Sequence, residues 1–107
     1  MSIATISEYG PNNQFCSKIV AAVVNNDDIV AMKKWYGDGQ DLRYDPVVAE
    51  EIKRFFSGYA PARIVTTGKV IGCPHEEGID YPEHEKCPEC KYWWNRDRFT
   101  NELDPVN

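Results

Sequence analysis

The apolar positions in the first half of the chain recur at helical spacing. Phe15, Ile19 and Val23 follow one another every four residues, as do Cys16, Val20 and Val24, which predicts a helix over residues 14–24 with one broad apolar face. Asn25 and Asn26 end that run. A second helix is expected from Asp27 or Asp28, whose carboxylates favour a helix N-terminus. Ile29, Met32 and Tyr36 would share one face with Trp35 beside them, Lys33 and Lys34 would fall near the C-terminal end, and Gly37 and Gly39 would stop it. The third helix has the clearest punctuation: Asp45 as N-cap, Pro46 at the first helical position, an apolar stripe of Val48, Ile52, Phe55 and Phe56, and Gly58 and Pro61 as its close. Residues 1–12 run into Gly10-Pro11-Asn12-Asn13 and read as a loop.

After residue 62 the pattern changes. β-branched residues flank Thr67-Gly68 in the stretch 63–71, which predicts a short hairpin. Beyond Gly72, cysteine, histidine, proline and acid replace aliphatic periodicity. The expected fold is α+β, with about three N-terminal helices, a short hairpin and a metal-stapled C-terminal module. The division expected is a helical subdomain over 1–62 and a metal-binding module over 63–107, in an arrangement that allows one shared core.

The candidate chemistry lies in Cys73-Pro74-His75 and, eleven residues on, Cys87-Pro88-Glu89-Cys90. A Cys-x-x-Cys turn lets two thiolates converge on one ion, and two such corners close a tetrahedral shell. The first corner is one residue shorter, which the longer reach of imidazole accommodates. Two histidines compete for the fourth place: His75, which pairs with Cys73 as Cys87 pairs with Cys90, and His84, three residues before Cys87. Pair symmetry favours His75, and the ligand set read from the sequence is Cys73, His75, Cys87 and Cys90. Cys16, on an apolar face, reads as a small buried hydrophobe.

Over residues 71–99 this pattern resembles the zinc-ribbon and treble-clef class of small zinc modules. The resemblance implies a structural Zn2+ ion. A helix from Pro88 through Trp93 and Trp94 would favour the treble clef, and a strand over Lys91–Trp94 the ribbon. Lys91 departs from the class, where glycine is common. His75-Glu76-Glu77 with Cys87-Pro88-Glu89-Cys90 is also loosely similar to the zinc deaminase signature, but Lys86 stands where a proline is expected and Cys73 would crowd the open site. Three thiolates also make zinc a poor Lewis acid, so no catalytic residue and no enzymatic activity is expected.

Charge bears on the partner. Residues 1–71 carry eight Lys/Arg and eight Asp/Glu, whereas residues 72–107 carry four and nine, so the tail holds the whole net charge of −5. Such a surface repels nucleic-acid backbones at long range. The expected role is therefore that of an adaptor or regulator with a protein partner. The alternative is a nucleic-acid-associated protein, in which Trp93, Trp94, Arg96 and Arg98 stack on bases. The longest apolar-rich run, Ile19–Val24, is too short to span a membrane, and the N-terminus lacks the basic start and apolar core of a signal peptide. A soluble, cytoplasmic protein without membrane contact is expected.

Overall fold

The computed structural model describes residues 1–37, 39–94 and 96. It corrects the helical reading of the N-terminal half. Strands β1 (Ser2–Tyr9), β2 (Lys18–Asn25) and β3 (Asp28–Tyr36) precede helix α1 (Pro46–Ser57), and β4 (Arg63–Val70) follows it. They form one four-stranded sheet in the order β3-β2-β1-β4. The pairs β1/β2 and β2/β3 are antiparallel, and β1/β4 is parallel. A parallel pair requires a crossover, which here is a 3-10 turn at Leu42–Tyr44 followed by α1.

Two of the three expected helices are thus strands, for a physical reason. Ile19-Val20-Ala21-Ala22-Val23-Val24 is an unbroken apolar run, and such a run satisfies a helical period and a strand period equally. β2 lies between β1 and β3 and buries residues on both faces, so it has no polar side to reveal its period of two. The Asn-Asn-Asp-Asp stretch is a hairpin turn and not a helix start. Asn26 (φ 52°) and Asp27 (φ 70°) both take positive φ, as two-residue turns that match the strand twist require. β3, with Met32, Lys33 and Lys34, is the outer strand of this hairpin.

The hairpin expected at Thr67-Gly68 is also absent, because both flanks belong to one strand. β4 runs parallel to β1 with Ile3 opposite Arg63 and Ile6 opposite Thr66, then shifts so that Glu8 faces Val70. Gly68 (φ 69°) sits in that irregularity, the usual meaning of a glycine inside a strand. The loop expected over residues 1–12 is β1 as far as Tyr9.

The third helix forms as its punctuation predicts. The Asp45 carboxylate accepts hydrogen bonds from the backbone N–H of Val47 (2.8 Å) and Val48 (3.4 Å), and Pro46 opens the helix. α1 lays Val48, Ile52, Phe55 and Phe56 on the sheet face that carries Ala4, Ile6, Ile19, Ala21, Val23 and Trp35. On its β3 side, Glu51 accepts a hydrogen bond from the Trp35 indole (3.1 Å). Among the described residues, no helix is long and apolar enough to cross a membrane.

The cap gives a direct test of this crossover. Asp45→Ala is expected to lower stability by about 0.5–2 kcal/mol, and Phe56→Ala by about 3–5 kcal/mol because it opens a cavity under the sheet. Urea unfolding of the metal-loaded protein reads both, and an unchanged midpoint for Asp45→Ala would show that the cap carries no stability.

Candidate metal centre

The chain leaves β4 already tied to the end of β1. Ile71 N donates to Glu8 O (2.9 Å) and Gly10 N to Gly72 O (2.8 Å), which delivers Cys73 beside the β1–β2 turn. Position 10 has no room for a side chain, since a Cβ there would lie 1.7 Å from the Phe15 carbonyl oxygen. The Trp93 indole donates to Gly10 O (2.7 Å) from the far end of the module. Gly72 and Trp93 therefore fasten to the same glycine, and the segment between them forms a closed loop on the sheet.

Within that loop, Cys73, His75, Cys87 and Cys90 converge, with one ligand atom of each lying within 4.8 Å of the others. His75 Nδ1 is 3.3 Å from Cys73 Sγ and 3.4 Å from both Cys87 Sγ and Cys90 Sγ. A tetrahedral ion with Zn–S near 2.3 Å and Zn–N near 2.0–2.1 Å has S···N edges of about 3.5 Å, so the residues fit such an ion through Nδ1. The other ring nitrogen, Nε2, faces Glu89 Oε2 at 3.2 Å. A carboxylate at that position holds the proton on Nε2 and leaves Nδ1 free to bind a metal. The backbone N–H of His75 points at Cys73 Sγ (3.3 Å), as thiolate corners require.

The other two candidates lie elsewhere. His84 is exposed, takes φ 68°, and donates its backbone N–H to Glu77 Oε2, away from the cluster. Cys16 is fully buried, with its thiol against Lys18 O (3.3 Å).

Burial raises the Cys73 and Cys90 thiols above their ordinary pKa, and at Cys90 the neighbouring thiols add to the effect. The metal-free fold therefore favours the protonated thiols, a contribution present below the ordinary thiol pKa and lost as pH rises through the raised values. An entering metal must displace those protons, so binding weakens as pH falls.

Three residues outside the Cys/His pattern hold the loop to the sheet. Lys18, only 4% exposed, donates from Nζ to Pro74 O (3.0 Å) between the first two cluster residues. Its ammonium lies 5.7 Å and 5.6 Å from the ring centres of Tyr9 and Tyr36. Glu76 accepts from Lys34 Nζ (2.7 Å) and lies 3.9 Å from Lys18 Nζ. Lys34, then Lys18, holds the Glu76 carboxyl below its ordinary pKa. That contribution is present above the ordinary carboxyl pKa and lost as pH falls through the lowered one. Nothing in the sequence pattern marks Lys18, Lys34 or Gly10, since each acquires its role from the strand pairing. Glu89, inside the cysteine turn, was open to view.

After Cys90 the chain makes a 3-10 turn at Lys91–Trp93, and so has neither the helix from Pro88 nor the strand over Lys91–Trp94. The aromatic cluster turns inward: Trp93 is bonded to Gly10, the Trp94 indole donates to Cys87 O (2.8 Å), and Arg96 stacks over Tyr92 at 4.2 Å. Arg98 lies outside the described residues. No protein-family model matches the chain, and no curated protein or solved structure is found to be similar to it.

Thiol accessibility separates the two classes of cysteine. Brief iodoacetamide treatment at neutral pH is expected to label Cys73, Cys87 and Cys90 after chelation but not before it. Cys16, with no exposed surface and a pKa pushed up to about 11, should react only in denaturant. Mass spectrometry counts the adducts, and four thiols labelling together after chelation would contradict this placement.

Proposed function

We propose that the chain holds one zinc ion through Cys73, His75, Cys87 and Cys90 as a structural metal, and that the domain so stapled is a non-enzymatic adaptor for another protein. The observation that carries the reading is the convergence of three sulfurs and His75 Nδ1 on one point. A Cys3His set suits zinc, because thiolates select soft or borderline ions and four ligands complete its tetrahedron. A full protein shell leaves no position for substrate or an activated water, which is why the proposal is structural. At the level of the Cys-Pro-Glu-Cys turn the module belongs beside the zinc-ribbon and treble-clef knuckles. Acidity and the hydrogen-bonded indoles of Trp93 and Trp94 favour a protein partner over nucleic acid in a cytoplasmic setting.

Elemental composition tests the metal. Protein purified without added metal is expected to carry one equivalent of zinc. Cys87→Ser or Cys90→Ser should abolish retention, and His75→Ala should weaken it more than His84→Ala, as ranked by release to a chromogenic chelator. The reverse order of the histidines would move the fourth ligand to His84, and iron with visible absorbance would replace zinc altogether.

Metal removal should act locally. Between Gly72 and Cys90 the aliphatic side chains reduce to Ile79, which is 77% exposed, so burial cannot offset a backbone ordering cost of about 1–2 kcal/mol per residue. A structural zinc contributes an apparent ~10–16 kcal/mol in small modules. Chelation is therefore expected to collapse the amide dispersion of residues 72–94 while β1–β4 and α1 keep theirs. Acidification should do the same, as protons reclaim the thiolates and then neutralise Glu76. Dispersed, sharp signals from residues 72–90 in metal-free protein would show that the loop orders itself without an ion.

A further inference from the structure

The helix covers the sheet unevenly. α1 is tied to the β3 side through Glu51 and Trp35, and beside β4 it leaves an apolar groove of about 440 Å³ lined by Ile6, Ile52, Phe56, Pro61, Ile64 and Lys53. β4 is an edge strand, paired with β1 alone, and its first four residues are all exposed, with Ile64 at 56%. From Arg63 to Thr66 its register with β1 is regular, so its outer backbone edge is straight there; the irregularity around Gly68 ends that stretch.

We infer that the Arg63–Thr66 edge together with this groove is a docking site for an extended acidic peptide, which adds as a fifth strand. This deepens the adaptor reading and rests on it, but not on the metal. A strand added to an edge lies about 4.8 Å away and turns alternate side chains to each face of the sheet. Residues of the guest on the helix side, level with Ile64 and Thr66, would drop into the groove against Ile52 and Phe56. Affinity then comes from main-chain hydrogen bonds plus apolar side chains at every second position.

Charge selects the guest. β4 carries Arg63 and Lys69, the groove carries Lys53, and neither contains an acidic residue, on a chain whose net charge is −5. Of the two glutamates of α1, Glu51 faces away towards Trp35, and Glu50 is exposed and does not line the groove. Among the residues of β4 and of the groove lining, an acidic peptide therefore meets three cations and no carboxylate. A second copy of the chain pairing β4 with β4 would gather Arg63 and Lys69 of both copies along one seam with no acidic residue of β4 to offset them. Among the residues that line the groove, Phe56 alone is aromatic, so they offer bases little to stack on. The opposite edge, β3, also exposes apolar residues in Ile29, Val30 and Met32, but on the helix side its Trp35 is bonded to Glu51, which sets a carboxylate against an acidic guest.

The test uses the full-length, zinc-loaded, isotope-labelled chain and a blocked hexapeptide alternating glutamate and isoleucine. The expected result is saturable shifts at the amides of residues 63–66 and of Ile52 and Phe56. The lysine–isoleucine counterpart should bind about fivefold more weakly or worse. A version N-methylated along its pairing edge should not bind. Ile64→Glu should abolish binding of the acidic peptide, and Lys53→Glu with Arg63→Glu should reverse the preference between the two peptides, an outcome that loss of folding cannot mimic. The inference is overturned by an equally tight lysine or N-methylated peptide, by no shifts at millimolar peptide, or by concentration-dependent dimerisation through β4. Shifts confined to residues 28–36 would overturn this surface while keeping the adaptor reading. A fluorescein-labelled oligothymidine that shifts residues 63–66 would overturn both. Zinc content measured on the same sample keeps the metal reading separate from either result.

Discussion

The loop between Gly72 and Trp93 depends on four side chains meeting at one point. It has almost no apolar surface to bury, its hydrogen bonds are mostly short-range turns, and five of its residues from Glu76 to Glu89 are acidic glutamates. Left to itself, such a segment loses to chain entropy. Convergence of three thiols and an imidazole changes that, because one ion can offset the ordering of the whole loop at once. The sheet supplies what the ion cannot, a fixed place to stand. Gly10 accepts the Trp93 indole and donates to Gly72, and the close approach of Phe15 to Gly10 leaves no space for any other residue.

The same geometry accounts for a buried lysine. An ammonium with 4% exposure is costly unless it is paired and hydrogen-bonded. Lys18 has Pro74 O, the Glu76 carboxylate and two tyrosine rings around it. Three thiolates against a divalent cation would leave one net negative charge close by, which further favours a cation there. Removing Lys18 would thus unpair Pro74 O and weaken the hold on Glu76 together. This is the usual asymmetry of buried charge: the pair adds little over a well-packed apolar contact, but breaking it is expensive.

The cluster was legible in the sequence and most of the fold was not, for different reasons. Metal ligands announce themselves by residue type and local spacing, so Cys73, His75, Cys87 and Cys90 could be grouped before any contact was known. α1 was legible because its signals are local too: Asp45 and Pro46 act within one turn. β2 defeated periodicity because a strand buried on both faces is apolar throughout, and its alternation is invisible. Asn26-Asp27 held the missing clue, a two-residue turn between β-branched runs, but carboxylates also start helices and the two meanings compete. β4 was recognised as extended yet folded back on itself in the reading, since Thr67-Gly68 suits a turn as well as a bulge. Its true partner, β1, lies some sixty residues away, opposite a segment read as a loop.

These placements divide the molecule's surface by function of shape. One end of the sheet is closed by the loop, with Lys18, Lys34 and Glu76 as its fastenings. The helix leans towards β3, where Glu51 and Trp35 fix it. On the β4 side, backbone donors and acceptors, an apolar groove and the cations Arg63, Lys53 and Lys69 coincide. A natural edge strand is normally blunted by charge, by a bulge or by a cover. β4 has the first two, in Arg63 and in the irregularity at Gly68, but they bound the straight segment at its ends without crossing it. An edge so bounded is protected against indefinite sheet growth and still able to take one short guest. The cations that deter a second copy of the chain are the same ones that would admit an acidic strand.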